Sequence, residues 1–343
     1  MIECIFTIDY EVYGDGTGAL EELVCGPTER LLEIFDEWDA KFVNFVEVAE
    51  FEKIEMAGTD AAIGKVKAQI KTMYHKGYEI ALHLHPQWAN GKFENGHWHL
   101  DSSEYNLCTL PTSRISQIVD GAFGYLRHVL DDSNFSPLSF RAGNWLFQPT
   151  ASAAKVLGER GVRVDSSVFK GGVQRNHGLD YRAASKNGYL WPFRTDANKV
   201  DASGDWIEVP IYTEMVPAWK MATAKRLKFV NGGGVTARPA MHKVNRALDL
   251  LRIQYPKKFD FCRMNFEELT SMINRVIRED QATPDVYKPL VAIGHSKDLT
   301  DFKTIHDFLA FLHSSQIGIA TFQSSWPRLL EASRTVSGSA VDA

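Results

Sequence analysis

A chain of 343 residues, 44% hydrophobic and 24% charged, has the composition of an ordinary globular protein, long enough for two average domains or one α/β barrel. It has no run of about 18 apolar residues, which excludes a membrane-spanning helix, and 38 basic against 43 acidic residues exclude a general affinity for nucleic acid. Met1-Ile2-Glu3-Cys4 has neither part of a secretory signal, and Cys4, Cys25, Cys108 and Cys262 show no CxxC spacing, so reduced thiols in a cytoplasmic protein are expected.

In chain order, β-rich runs alternate with helical periods. Ile2 to Ile8 predicts a strand, and Pro27 to Trp38 a helix with Pro at its start and Leu31, Leu32, Phe35 and Trp38 on one face. Lys41 to Val48 predicts a second strand, Ala61 to Lys76 an amphipathic helix stopped by Gly77, and Glu79 to His85 a third strand. Thr112 to Leu130 reads as helix and Leu138 to Arg141 as strand. The later units are helix Thr150–Arg160, strands Val162–Asp165, Trp206–Pro210 and Leu290–His295, helix Phe302–Ser314 and strand Gly318–Thr321.

This rhythm predicts βα units around a parallel sheet: an α/β fold, as one barrel domain over residues 1–330. A helical insertion is expected at about 214–289, dominated by helices Met241–Tyr255 and Asn265–Asp280, and the small polar segment 331–343 is expected to be a flexible tail.

Function in such barrels collects at the C-terminal ends of the strands. The first strand ends in Asp9-Tyr10-Glu11, whose carboxylates share a face at i and i+2, and the third in His83-Leu84-His85, again i and i+2. Other strand ends carry Arg141-Ala142-Gly143-Asn144-Trp145, Asp165-Ser166-Ser167 and Gly294-His295-Ser296. Singly, each has a plain structural reading: D-x-E caps a helix, HxH is a surface or core pair, and a lone His in a GHS turn is ordinary. Their conjunction in barrel order is what points to a site.

That order resembles the polysaccharide deacetylase family, the NodB-homology or carbohydrate esterase family 4 group, whose fold is a distorted (β/α) barrel. Thr7-Ile8-Asp9-Tyr10-Glu11 stands where the family has T-F-D-D-G; the resemblance implies Asp9 as general base and, since Tyr10 holds the ligand position, Glu11 as the metal-binding substitute. Gly77-Tyr78-Glu79-Ile80-Ala81-Leu82 leads into His83, the first histidine of H-[ST]-x-x-H; Gln87 occupies the second histidine's position, and His85 is the natural replacement, with His97 and His99 as outside candidates. Arg141 would fix Asp9, and a backbone N–H near Asn144 would face the oxyanion. Asp165 would orient His295, the general acid.

The implied cofactor is a divalent metal on Glu11, His83 and His85, zinc by its ligand chemistry, which would activate a water and polarise an amide carbonyl. The implied substrate is a carbohydrate-derived small molecule: a cytoplasmic nucleotide- or lipid-linked N-acyl sugar used in surface-polysaccharide assembly. Trp88 and Trp145 are candidates to stack on sugar rings. The basic stretch Lys220–Lys228 reads either as a phosphate-binding segment or as a solvated helix face, and Gly232-Gly233-Gly234 as a turn. Three alternatives stay open: a non-sugar amide hydrolase of the allantoinase or imidase kind, a non-catalytic glycan- or nucleotide-sugar-binding protein, and a glycosidase using paired carboxylates. No oligomeric state is read from the sequence.

Overall fold

The computed structural model describes residues 1–221 and 254–339. Its centre is β1 (Ile2–Tyr10), flanked by β2 (Val43–Glu47), β3 (Glu79–Leu84), β4 (Ser139–Ala142) and β5 (Val164–Asp165) on one side and by a late strand, Lys288–His295, on the other. All of these neighbours pair in parallel. The far edge adds Trp206–Glu208, parallel to β5, and then Trp191–Phe193, antiparallel and absent from the sequence pattern. In chain order these edge strands are β6 (Trp191–Phe193) and β7 (Trp206–Glu208). β8 (Thr213–Val216) and β9 (Tyr255–Lys258) form an antiparallel pair, β10 is Lys288–His295, and β11 (Gly318–Ile319) pairs with the lower end of β1.

Parallel strands buried on both faces are apolar throughout, and β1 from Cys4 to Tyr10 is wholly buried. Phe6 meets Phe35 of α1 (Gly26–Glu37) and Phe308 of the helix Phe302–Ser314 edge to face, while Thr7 and Asp9 turn the other way, to Arg141 inside the sheet's curve. The curl closes through single backbone bonds: Tyr212 N–H donates to Val291, Phe259 N–H to Tyr212, and Phe261 N–H to Ile293. The architecture is a distorted (β/α) barrel.

Three expectations need correction. The second strand stops at Glu47, because α2 (Val48–Ala57) begins there; it buries Val48, Ala49, Phe51 and Ile54 and ends at the left-handed Gly58. The excursion after residue 214 rejoins the barrel well before residue 289, since Phe259–Phe261 bonds to β10 and the helix Phe266–Ala282, started by an Asn265/Glu268 capping box, leads straight into β10. The segment after Leu330 is no frayed tail as far as Ser339: the helix Phe322–Ser339 runs through it, with Leu329 and Ser333 buried and Ala332 packed on the core. Of the helix expected at Met241–Tyr255, Gln254 is in no helix and Tyr255 opens β9; residues 241–253, the glycine run 232–234 and the basic stretch beyond Met221 lie outside the described residues.

Candidate active site at the barrel mouth

The strand ends converge as their order in the sheet requires. Asp9 lies beside His295 across the β1–β10 ladder, and His83 beside Arg141 across β3–β4. Arg141 is fully buried, and each of its nitrogens has a partner. Nη1 donates to Asp9 Oδ1 at 2.6 Å, Nη2 to Thr7 Oγ1 at 3.0 Å and Ser166 Oγ at 3.2 Å, and Nε to the Ser166 carbonyl at 2.9 Å. Burial would raise the Asp9 carboxyl, but Arg141, with His83 and His295, outweighs it and holds the group below the usual carboxylate range.

Glu11 faces two ways. Its Oε2 lies 3.3 Å from His83 Nε2 and 3.1 Å from His85 Nε2, while its Oε1 takes an ion pair from Lys297 Nζ at 2.7 Å. Burial opposes the Glu11 charge; Lys297 and His85 overcome it and hold the carboxyl well below its ordinary value. His83 Nδ1 donates to the Arg141 carbonyl oxygen at 2.8 Å, which turns Nε2 toward Glu11. Burial would strip the His83 proton, but Asp9 and Glu11 hold it, and the imidazole rises to about 9.

Glu47 belongs to the same cluster. Ligand atoms of Glu11, Glu47, His83 and His85 all lie within 4.8 Å of one another. Glu47 caps α2 through the Glu50 N–H and accepts the His85 N–H at 2.6 Å, and burial lifts its carboxyl to about 7. Gln87, standing where a second family histidine is expected, is buried with its side-chain amide 3.3 Å from His85 Nδ1. Gly143 has no room for a side chain: an added Cβ would sit 2.6 Å from the Leu84 carbonyl and 2.7 Å from the His85 ring. Two imidazoles with one or two carboxylates are a donor set that suits a divalent metal, zinc foremost.

His295 Nε2 lies 3.5 Å from Asp9 Oδ2, so the expected acid and base are neighbours. The expected support from Asp165 is not there. Asp165 bonds the Ser167 hydroxyl and N–H, and burial raises it beside the buried Glu208. The carboxylate near His295 Nδ1 is Asp298, at 3.6 Å, itself held by Arg263 at 2.6 Å. The reason is geometric: β5 is four strands from β1 in the sheet order, whereas β10 is β1's direct neighbour and Asp298 follows it by three residues. Burial also outweighs Asp9 and Asp298 at His295 and lowers its imidazole, so it rests neutral, contrary to the protonated acid expected.

Asn144 and Trp145 form a left-handed turn, φ 54° and 60°, above the cluster, with the Asn144 amide 3.2 Å from His85 Nδ1. Trp145 is half-buried at the rim. Trp88 is corrected: it is buried against Trp98 and cannot stack on a sugar. His97 and His99 lie on an exposed hairpin away from the cluster.

No family model matches the chain, and no curated protein matches it in sequence. Solved structures match its fold. One described as a polysaccharide deacetylase of Mycobacterium smegmatis superimposes with a TM-score of 0.52 at 15% identity, covering 96% of this chain and 90% of its own. A branching enzyme of Thermococcus kodakaraensis, solved with glucose, gives 0.51 at 11% identity over 95% and 71%. A protein described as a polysaccharide deacetylase of Pseudomonas aeruginosa gives 0.49 at 15% identity over 94% and 88%. The chain therefore has the NodB-type deacetylase fold that its motifs resemble.

Proposed function

We propose that this protein is a metal-dependent amide hydrolase that removes an N-acyl group, acetyl or formyl, from a carbohydrate-derived substrate. The observation that carries the reading is the juxtaposition, in one mouth, of Asp9 pinned by Arg141, His295 within 3.5 Å of it, and the Glu11/His83/His85 cluster beside both. A nucleotide- or lipid-linked sugar of surface-polysaccharide assembly is the substrate we favour. Four buried, unpaired thiols support a reducing, cytoplasmic setting, and no helix among the described residues is long and apolar enough to cross a membrane.

A zinc-like ion held by Glu11, His83 and His85, with Glu47 as a further donor, would supply an acidified water and a polarised carbonyl. The remaining chemistry belongs to the chain. Asp9, kept ionised by Arg141, takes a proton from water as its oxygen attacks the acyl carbon. His295, neutral at rest, accepts a proton across the gap to Asp9 and delivers it to the departing amine nitrogen as the C–N bond breaks. Asp298 stabilises the imidazolium during that transfer. Asp298→Asn is therefore expected to lower kcat about tenfold or more and to move the pH profile, whereas Asp165→Asn changes stability first; equal kinetic effects from both would refute the assignment.

The reading is tested by metal content and acetate release on N-acetylated sugars. About one zinc-like ion per chain is expected, lost in His83→Ala and His85→Ala and weakened about 10- to 100-fold in Glu47→Gln. Because His83 keeps its proton up to about pH 9 without metal, uptake displaces a proton, and affinity should rise as pH increases toward that value. An affinity that does not change between pH 6 and 9 would contradict His83 as a ligand.

One observation favours a second reading, a non-catalytic sugar-binding protein. Lys297 already neutralises Glu11 inside the cluster, as a metal would. A protein that stays metal-free when zinc is offered, yet binds sugars, would decide for it.

A further inference from the structure

We infer that Lys258 and Trp145 form an anion-binding subsite at the rim of the reaction centre, so that the substrate carries a phosphate-like or carboxylate group there. The inference deepens the hydrolase reading by naming a charged feature of that site's substrate, but the subsite itself is testable without turnover.

Lys258 ends β9 opposite Thr213, and two residues later Asp260 bridges Ile293 of β10. Side chains at 258 and 260 therefore share a face, and Ile293 is in register with Thr7. That is the face from which Thr7 and Asp9 meet Arg141, the interior of the barrel. The Lys258 ammonium sits 3.2 Å above the centroid of the Trp145 ring and 4.9 Å from that of Phe169. Trp145 follows Asn144, whose amide reaches His85, so Trp145 and Asn144 connect the amine to the candidate metal-ligand cluster.

What sets Lys258 apart is its lack of an acceptor. Among the described residues no carboxylate or carbonyl takes a hydrogen bond from it, whereas the adjacent Lys257 pairs with Glu268 at 2.6 Å and Lys297 with Glu11 at 2.7 Å. Burial pushes the Lys258 amine down to about 7; Asp260 and Asp9 attract it from beyond contact, while Arg263 and Arg141 repel it. Lys258 is half-buried, and two aromatic faces offset only part of what its lost hydration costs an ammonium. An apolar residue of the same length would pack there at lower cost. An amine in this position is satisfied by an arriving anion, and the aromatic ring beside it suits the sugar or acyl chain that carries the anion.

The test uses full-length, chelator-treated protein, so that no metal can bind the probe. Inorganic sulfate, a tetrahedral oxyanion of constant charge, and acetate are titrated separately by calorimetry and by tryptophan emission into the wild type, Lys258→Met, Lys258→Arg and Trp145→Phe. The wild type should bind at least one anion, Lys258→Arg should stay within about threefold, and Lys258→Met should bind at least tenfold more weakly. The emission change should vanish in Trp145→Phe, which decides the matter should Lys258→Met not fold. Sulfate alone points to a phosphorylated carrier or nucleotide, acetate alone to an acidic sugar. A wild type that binds neither anion, a Lys258→Met protein that binds like the wild type, or an emission change that persists in Trp145→Phe overturns the inference. Because no turnover is read, anion binding with no hydrolysis would refute the proposed enzyme and leave the subsite standing.

Discussion

Arg141→Met is expected to destabilise the fold by about 3–5 kcal/mol at pH 7, measured by urea denaturation, and to abolish activity. The guanidinium is fully buried and bonds Asp9, Thr7 and both the carbonyl and hydroxyl of Ser166, so it joins β1, β4 and the turn after β5. Removing one partner of a buried pair leaves the other as an uncompensated charge, and that penalty dominates. In the wild type the Asp9 pKa is depressed, so its ion pair contributes stability above the ordinary carboxylate value near 4 and loses it as pH falls through the depressed value. In the variant only burial and weaker partners act on Asp9, so its carboxyl rises and protonates earlier. The stability gap between the two proteins should therefore narrow as pH drops from 7 to 4. A gap under 1 kcal/mol at pH 7, or one that widens in acid, would show that Arg141 is not the counter-ion of Asp9. Asp9→Asn combined with Arg141→Met supplies the coupling energy directly.

The parallel strands were legible because each is an apolar run ended by a polar pair. Tyr10 holds a metal-ligand position only in the family's frame; here its ring packs on Phe51 and its hydroxyl donates to Gln69, so it is core. Glu47 was missed for one physical reason. The run KFVNFVEV reads as strand through Val48, and a carboxylate inside a strand draws no attention. Only the turn into α2 at Val48 exposes Glu47 as a strand end, and the periodicity of VAEFEKIEMA, with Val48, Phe51 and Ile54 on its buried face, carried that signal. Asp298 escaped for a different reason: it follows His295 in the short turn Ser296–Asp298, and proximity of that kind depends on turn geometry, which side-chain pattern does not encode. Lys258 was beyond reach because the segment 255–261 joins the barrel through isolated backbone bonds to Tyr212 and Ile293, with no alternation long enough to read as a strand.

Asp9→Asn separates the enzymatic reading from a binding protein most sharply. Asn matches Asp in shape, and its carbonyl oxygen can still accept from Arg141 Nη1, so the mouth should keep its geometry. What it cannot do is take a proton from water. General-base catalysis contributes about 10²–10⁴-fold, so kcat should fall by about 10³-fold while KM and bound metal per chain stay near wild type. Arg141 is then left with a neutral partner, so some stability is lost, and rates must be read well below the unfolding midpoint. His295 Nε2 also loses its attraction to Asp9, which lowers an imidazole that burial already lowers; any residual activity should therefore shift its optimum toward acid. A variant with unchanged kcat would remove Asp9 from the chemistry, and the neighbouring Glu11 would not replace it, because both its oxygens are already engaged by Lys297 and the two histidines.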